Sequence, residues 1–267
     1  FFKGDLTNSE KSREEFLKLI ATISVDDRMK LLKSLLKVQH DHLINERLKN
    51  NILSNFLVFS PENSSLRNFA NEGQIEPLGI KGEGLFKLLK QIYQKDKKTF
   101  EKVINHLKLL EWFEDLQVPV STFPGENYLK IKDKFFHESI EYLNQVSTNE
   151  GFLFLLFYIV LFISDSTPAF FSIDNIEASF NPRFCTKLTQ TLVRLSFEHK
   201  KQVIVTTHNP FVLDGLDLEN DEQRIFVVSR DLEGKTKIER IRAKKKSDLR
   251  ISEAWMRGYF GGLPTNF

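Results

Sequence analysis

The sequence has one cysteine, Cys185, and no apolar run long enough to span a bilayer. A lone thiol excludes an internal disulfide framework and suits a reducing cytosol, so a cytoplasmic location is expected. It is also a poor nucleophile candidate, since it lies at the start of an apolar helical stretch with no obvious base. The longest apolar run, "FLFLLFYIVLFI" at 152–163, would extend only about 18 Å as a helix, short of the roughly 30 Å of a hydrocarbon core. No membrane partner is therefore expected, and a helix apolar on all sides belongs in the centre of the fold. No signal peptide precedes it. A charge excess is missing too: 38 Lys and Arg against 36 Asp and Glu leave a formal charge of +2, without the global basic footprint of a nucleic-acid binder. The sequon Asn63-Ser64-Ser65 is accompanied by nothing that implies secretion. The opening "FFKGDLTNSE" has no methionine, and an N-terminal part of the protein is expected upstream of it.

What is present is the composition of a globular protein, 41% hydrophobic with 25 phenylalanines over 267 residues. Four regions are expected. Residues 1–50 read as a helical arm or insertion, with a capping box at Thr7 and Glu10 and a stripe of Phe16, Leu19, Ile20 and Ile23. Residues 51–145 form a mixed helical and strand lobe: a short strand in "NFLVFSP" (55–61), a polar loop to about 78, helices over 82–94 and about 98–113, and a half-exposed strand in "YLKIKDKFF" (128–136). Residues 146–242 hold the core, and 243–267 a C-terminal docking tail with Trp255, Tyr259 and Phe260.

Within the core, polar "VSTNEG" (146–151) precedes the apolar helix. "AFFSID" follows as a buried strand, then a helix over about 182–198, then "QVIVTTH" (202–208) as a second buried strand. Nearly continuous apolar strands alternating with helices argue for parallel βαβ connections and an α/β fold with a mostly parallel core sheet. "RIFVVSRDLEGKTKIERI" (224–241) reads as a hairpin around a Gly-containing turn. Ligands of open α/β sheets lie at the carboxyl ends of the strands. Asp174 and His208 each end a strand, so they and "VSTNEG" converge on one edge.

The residue types suit phosphate chemistry. A carboxylate such as Asp174 at a strand end can orient Mg²⁺ or its water. Free N–H groups at a helix start bind phosphate oxygens, and Gly151 permits close approach. A histidine such as His208 can sense a terminal phosphate. Each residue also has an ordinary role: Asp174 as a cap for the following turn, Glu177 as a surface ion-pair partner, "STNEG" as a helix cap, and His208-Asn209-Pro210 as a turn. The basic stretch "RIRAKKKSDLR" (240–250) reads first as a solvated face or partner-binding surface and only second as a contact to DNA or RNA phosphates. His40 and His42 fall on different helix faces, so a metal site there is not expected.

Taken together, in order and spacing, "VSTNEGFLFLLF", "FFSIDN", "IEASFNP" and "VTTHNP" resemble the signature, Walker B, D-loop and switch-histidine motifs of an ABC-type ATPase head, in the branch containing the OLD-family, SMC and DNA-repair ATPases. The resemblance covers about 52–94 and 128–241. It implies ATP and Mg²⁺ as cofactors, Asp174 at the metal, and Ser147, Asn149, Glu150 and Gly151 as the signature reaching the γ-phosphate bound by an opposite head. It further implies Asn175, Glu177 and His208 as the catalytic group. Two departures stand out. Asn175 replaces the glutamate that usually polarises the attacking water, so hydrolysis is expected to be slow or to rely on Glu177. No G-x-x-x-x-G-K-[ST] motif occurs, "GIKGEG" (79–84) having neither the spacing nor the ending, and the phosphate loop is expected upstream. By analogy with ATPases of antiphage systems such as Septu, PARIS and abortive-infection pairs, the resemblance implies a homodimer or higher homo-oligomer that controls a separate effector, such as a nuclease. The alternatives are an SMC-like DNA clamp or repair ATPase, and an ATP-locked scaffold.

Overall fold

The computed structural model describes residues 56–69, 77–119, 128–137, 139–231, 233–242 and 249–261. The expected helical arm over 1–50, most of the basic stretch at 243–248 and the end of the tail lie outside them. From Phe56 onward the chain forms one unit.

The centre of that unit is helix α4 (Glu150–Ile163). Every residue from Phe152 to Ile163 is buried, as its unbroken apolar sequence requires. It is enclosed by α1 (Asn63–Arg67), α2 (Leu85–Lys95), α3 (Lys97–Leu107) and α5 (Pro182–Glu198). Amphipathic α2 turns Leu85, Leu88, Leu89 and Ile92 inward. Among the described residues no helix is long and apolar enough to cross a membrane. At its C-terminus α4 presents carbonyls to a cation: Lys201 Nζ donates to the oxygens of Ser164 (2.8 Å), Thr167 (2.9 Å) and Pro168 (3.3 Å). Burial lowers the pKa of this lysine from its ordinary value.

The core sheet has the order β1-β5-β6, with β1 (Val58–Phe59), β5 (Phe170–Ile173) and β6 (Gln202–Val205) all parallel. The expected α/β class with a parallel core is therefore what forms. In the central strand, Phe171, Ser172 and Ile173 are buried, and Ser172 Oγ donates to the Ile204 carbonyl at 2.9 Å. Strand β6 departs from expectation. Its apolar sequence reads as a buried strand, yet Ile204 is 52% and Val205 38% exposed. The reason is topological: among the described residues β6 pairs only with β5 and forms the edge of the sheet.

A second sheet, antiparallel β2-β3-β4 (Phe113–Gln117, Lys130–Asp133 and Leu143–Asn144), leads into the loop before α4. The helix expected to reach about 113 ends at Leu107, because Phe113 already belongs to β2. The polar stretch after Pro61 contains the short helix α1 instead of being loop throughout. The expected hairpin forms as β7 (Ile225–Arg230) and β8 (Thr236–Ile241), turning at Gly234 with φ 80°. Short helices α6 (Pro210–Leu213) and α7 (Ile251–Met256) pack on one another.

The loop "GIKGEG" runs beside the end of β1, where Ser60 N–H donates to the Ile80 carbonyl at 2.8 Å. Gly82 there has φ 103°, and a Cβ on it would lie 2.4 Å from Leu66 Cδ2. Both facts demand glycine. Gly82→Ala should lower stability by more than about 1 kcal/mol, read as a fall in the urea midpoint with an unchanged m-value.

Candidate functional site

Parallel strands β1, β5 and β6 continue their pairing past their ends. Asp174 N–H donates to the Phe59 carbonyl (2.8 Å), Thr206 N–H to Ile173 (3.0 Å), and Ile176 N–H to Thr206 (3.2 Å). The two chain segments that leave the sheet are thus held side by side. Thr206 joins them through its side chain: its hydroxyl donates to Asp174 Oδ1 and accepts the Asn175 N–H at 2.9 Å. Asp174 Oδ2 has only a long contact from Asn175 Nδ2, 3.5 Å. One oxygen is therefore fixed by protein while the other has only that long contact among the described residues. Asn175 is exposed and adopts φ 50°, a left-handed conformation that asparagine tolerates better than most residues.

Glu177, two residues on, turns back toward the second segment, where its Oε1 accepts the His208 N–H at 2.7 Å. Its Oε2 is enclosed and has no partner among the described residues. His208 itself is exposed. Asn209 caps α6 by accepting the Phe211 N–H at 3.0 Å, and its Nδ2 donates to Cys185 Sγ at 3.4 Å. The Cys185 thiol is pushed up to about 11, by burial first and by the Glu177 charge second. That environment suppresses the thiolate, in keeping with a structural cysteine.

The start of α4 is built against the same turn. Asn149 is its N-cap, accepting the Phe152 N–H at 2.8 Å. Ser147 is exposed, and its N–H donates to Asn144 Oδ1 at 2.9 Å. Glu150 Oε1 accepts the Ser179 hydroxyl. Ser179 takes φ 68°, and its carbonyl lies 3.1 Å from where a Cβ on Gly151 would stand. Glycine lets the 179–180 backbone lie close on the helix, since a Cβ would make that backbone give by a few tenths of an ångström.

Two groups thus emerge from the residues singled out in the sequence. Asp174, Asn175, Glu177 and His208 form one, while Asn149, Glu150 and Gly151 meet Ser179 and Phe180 in another, with Ser147 on the loop beside it. The 177–180 turn connects them, Phe180 N–H donating to the Glu177 carbonyl at 3.1 Å. Sequence reasoning missed Thr206, although "VTTH" places it two residues before His208. It also missed Arg67, whose guanidinium donates to the Gln145 carbonyl at 2.9 Å and to that of Val146; a single arginine in a short helix leaves no sequence signal of that task.

The arrangement is that of an α/β protein whose polar groups gather at the carboxyl ends of parallel strands. Residues 9–214 match the family of AAA domains described as putative AbiEii toxin, type IV TA system; the match runs over most of the chain, which belongs to that family. No curated protein matches the sequence. Among solved structures, one from work on ATP-driven dimerisation and DNA-stimulated activation of SMC ATPases is 14% identical, with a TM-score of 0.43 over 64% of this chain and 98% of that one. An Smc head domain with coiled coil and joint from Pyrococcus yayanosii is 12% identical, with a TM-score of 0.41 over 96% of this chain. An Smc head bound to the C-terminal winged-helix domain of ScpA is 15% identical, with a TM-score of 0.42 over 70% of this chain. The chain spans 43% and 56% of the last two.

Thr206→Val should remove one donor to Asp174 and one acceptor for Asn175 while keeping shape. Loss of about 1 kcal/mol is expected, with Thr206→Ser close to wild type; chemical denaturation of the three proteins measures it.

Proposed function

We propose that this chain acts as an ATP-binding, slowly hydrolysing ATPase head of the ABC type, OLD-like in branch, which pairs with a second copy across ATP. The observation that carries the reading is the corner at Asp174. There a carboxylate ends the central parallel strand with one oxygen fixed by Thr206 and the other held only by a 3.5 Å contact from Asn175. Among the described residues no three His, Cys, Asp or Glu side chains cluster as a metal cage. A single carboxylate is the usual protein share of a magnesium site whose other ligands are water and phosphate oxygens. Asp174 therefore fits Mg²⁺, and the bound ion would supply charge neutralisation for the phosphates.

The remaining roles belong to the protein. Asn175 orients a water by its amide without accepting a proton, since an amide has no basic site near neutral pH. His208, exposed and anchored through its own N–H, offers a hydrogen bond to a terminal phosphate. The start of α4, with Ser147, Asn149, Glu150 and Gly151, presents free N–H groups and a helix dipole to the nucleotide of a second copy. These 267 residues contain no G-x-x-x-x-G-K-[ST] phosphate-cradling motif. Membership of a family described by a toxin–antitoxin system supports an ATPase that restrains or releases a separate effector protein in antiphage defence.

In the whole protein, Asp174→Asn should abolish ATP turnover while the fold is retained; normal turnover would refute the metal assignment. Ser147→Arg, at an exposed position of the loop before α4, should leave nucleotide binding intact and prevent association of heads with a slowly hydrolysed ATP analogue in sedimentation. Association equal to wild type would reduce the start of α4 to a helix cap.

A further inference from the structure

The carboxylate of Glu177 is divided in its duties. Oε1 holds the main chain of His208, while Oε2 is enclosed with no partner among the described residues. Such a group calls for a donor. One enclosed donor in the same region is equally unserved: the Tyr158 hydroxyl, in the middle of α4, on a side chain with no exposed surface. Its ring lies 6.2 Å from that of Phe180, which stacks on Phe184 at 5.0 Å, and Phe180 N–H donates to the main-chain carbonyl of Glu177. Burial first and the Glu177 charge second raise the Tyr158 hydroxyl well above its ordinary value, so the carboxylate and the phenol share one electrostatic environment. Cys185 feels the same charge, but a thiol is a weak donor.

We propose that Glu177 is a positioning residue for the His208 loop, with the Tyr158 hydroxyl on α4 as its hydrogen-bond partner through one bridging water, which would serve both unpartnered groups. The consequence, which rests on the ATPase reading, is a relay within one chain. Contact of the α4 start with a second copy's nucleotide is felt at Ser179 and Phe180 through Glu150 and Gly151. It reaches His208 through Tyr158 and Glu177. Glu177 then acts on the histidine's backbone and not as a base on water, for which its enclosed oxygen is badly placed.

Hydrogen–deuterium exchange of the intact protein without nucleotide tests the relay independently of catalysis. Exchange of the segment 203–211 should rise about tenfold in both Tyr158→Phe and Glu177→Ala, because the His208 amide loses its fixed acceptor. Glu177→Gln, which keeps an acceptor oxygen, should remain protected. Wild-type exchange over 203–211 in Tyr158→Phe, or a rise confined to α4, would overturn the proposal. ATP turnover provides the second reading. Tyr158→Phe and Glu177→Ala should each lower kcat about tenfold with KM nearly unchanged, and the double variant should be no worse than either single one. Glu177→Gln should regain most of what Glu177→Ala loses; equal loss in both would make Glu177 the base and sink the positioning role. A wild type that turns over no ATP would count against the ATPase reading, leaving the exchange result to decide the relay.

Discussion

Everything in this fold is arranged around the need to bury a helix that has no polar side. Helix α4 gains from removal of its Phe, Leu and Ile side chains from water, at roughly 1.5–3 kcal/mol each, only if other elements cover all of its circumference. That demand places α1, α2, α3 and α5 around it. It leaves the two helix ends as the places where polar groups can gather. At the C-terminal end Lys201 supplies the cation that the carbonyls need. At the N-terminal end Asn149 caps one amide and the remaining N–H groups stay near the surface, beside the turn that leaves β5.

The candidate site is consequently held by main-chain and hydroxyl contacts more than by ion pairs. Thr206 fixes Asp174 and Asn175, Glu177 fixes His208, and Ser179 reaches Glu150. The exposed salt bridges lie elsewhere, as between Lys235 and Glu233 on the hairpin turn, and contribute little. Hydrogen-bonded turns of this kind fix direction without adding net charge. The second oxygen of Asp174 and the ring of His208 therefore keep their capacity for an added ligand.

The apolar helix, the order of strands β5 and β6, helix α5 and the hairpin were legible because each has a periodicity or an unbroken apolar run that admits one reading. The exposure of β6 was not, because sequence reports that Ile204 and Val205 are apolar but not whether the strand has a neighbour on both sides. Helix α3 was drawn too long since Leu109, Leu110 and Trp112 extend its stripe, although they pack against the core from turns. At the site, Asp174, Asn175, Glu177 and His208 were found by type and spacing. The direction in which Glu177 points depends on a turn geometry, with Asn175 and Ser179 at positive φ, that spacing does not encode. Tyr158 was hidden by its surroundings, one hydroxyl in a stretch otherwise read only for hydrophobicity.

The contact at Gly151 sets a limit on how such a chain can drift in evolution. The atom that would collide with a side chain there is a main-chain oxygen, that of Ser179. No replacement of the side chain at 179 removes that oxygen, so a side chain at 151 has to be met by a movement of the 179–180 backbone of a few tenths of an ångström. The start of α4 and the turn after β5 are thus coupled in what they accept, the one yielding only as far as the other moves.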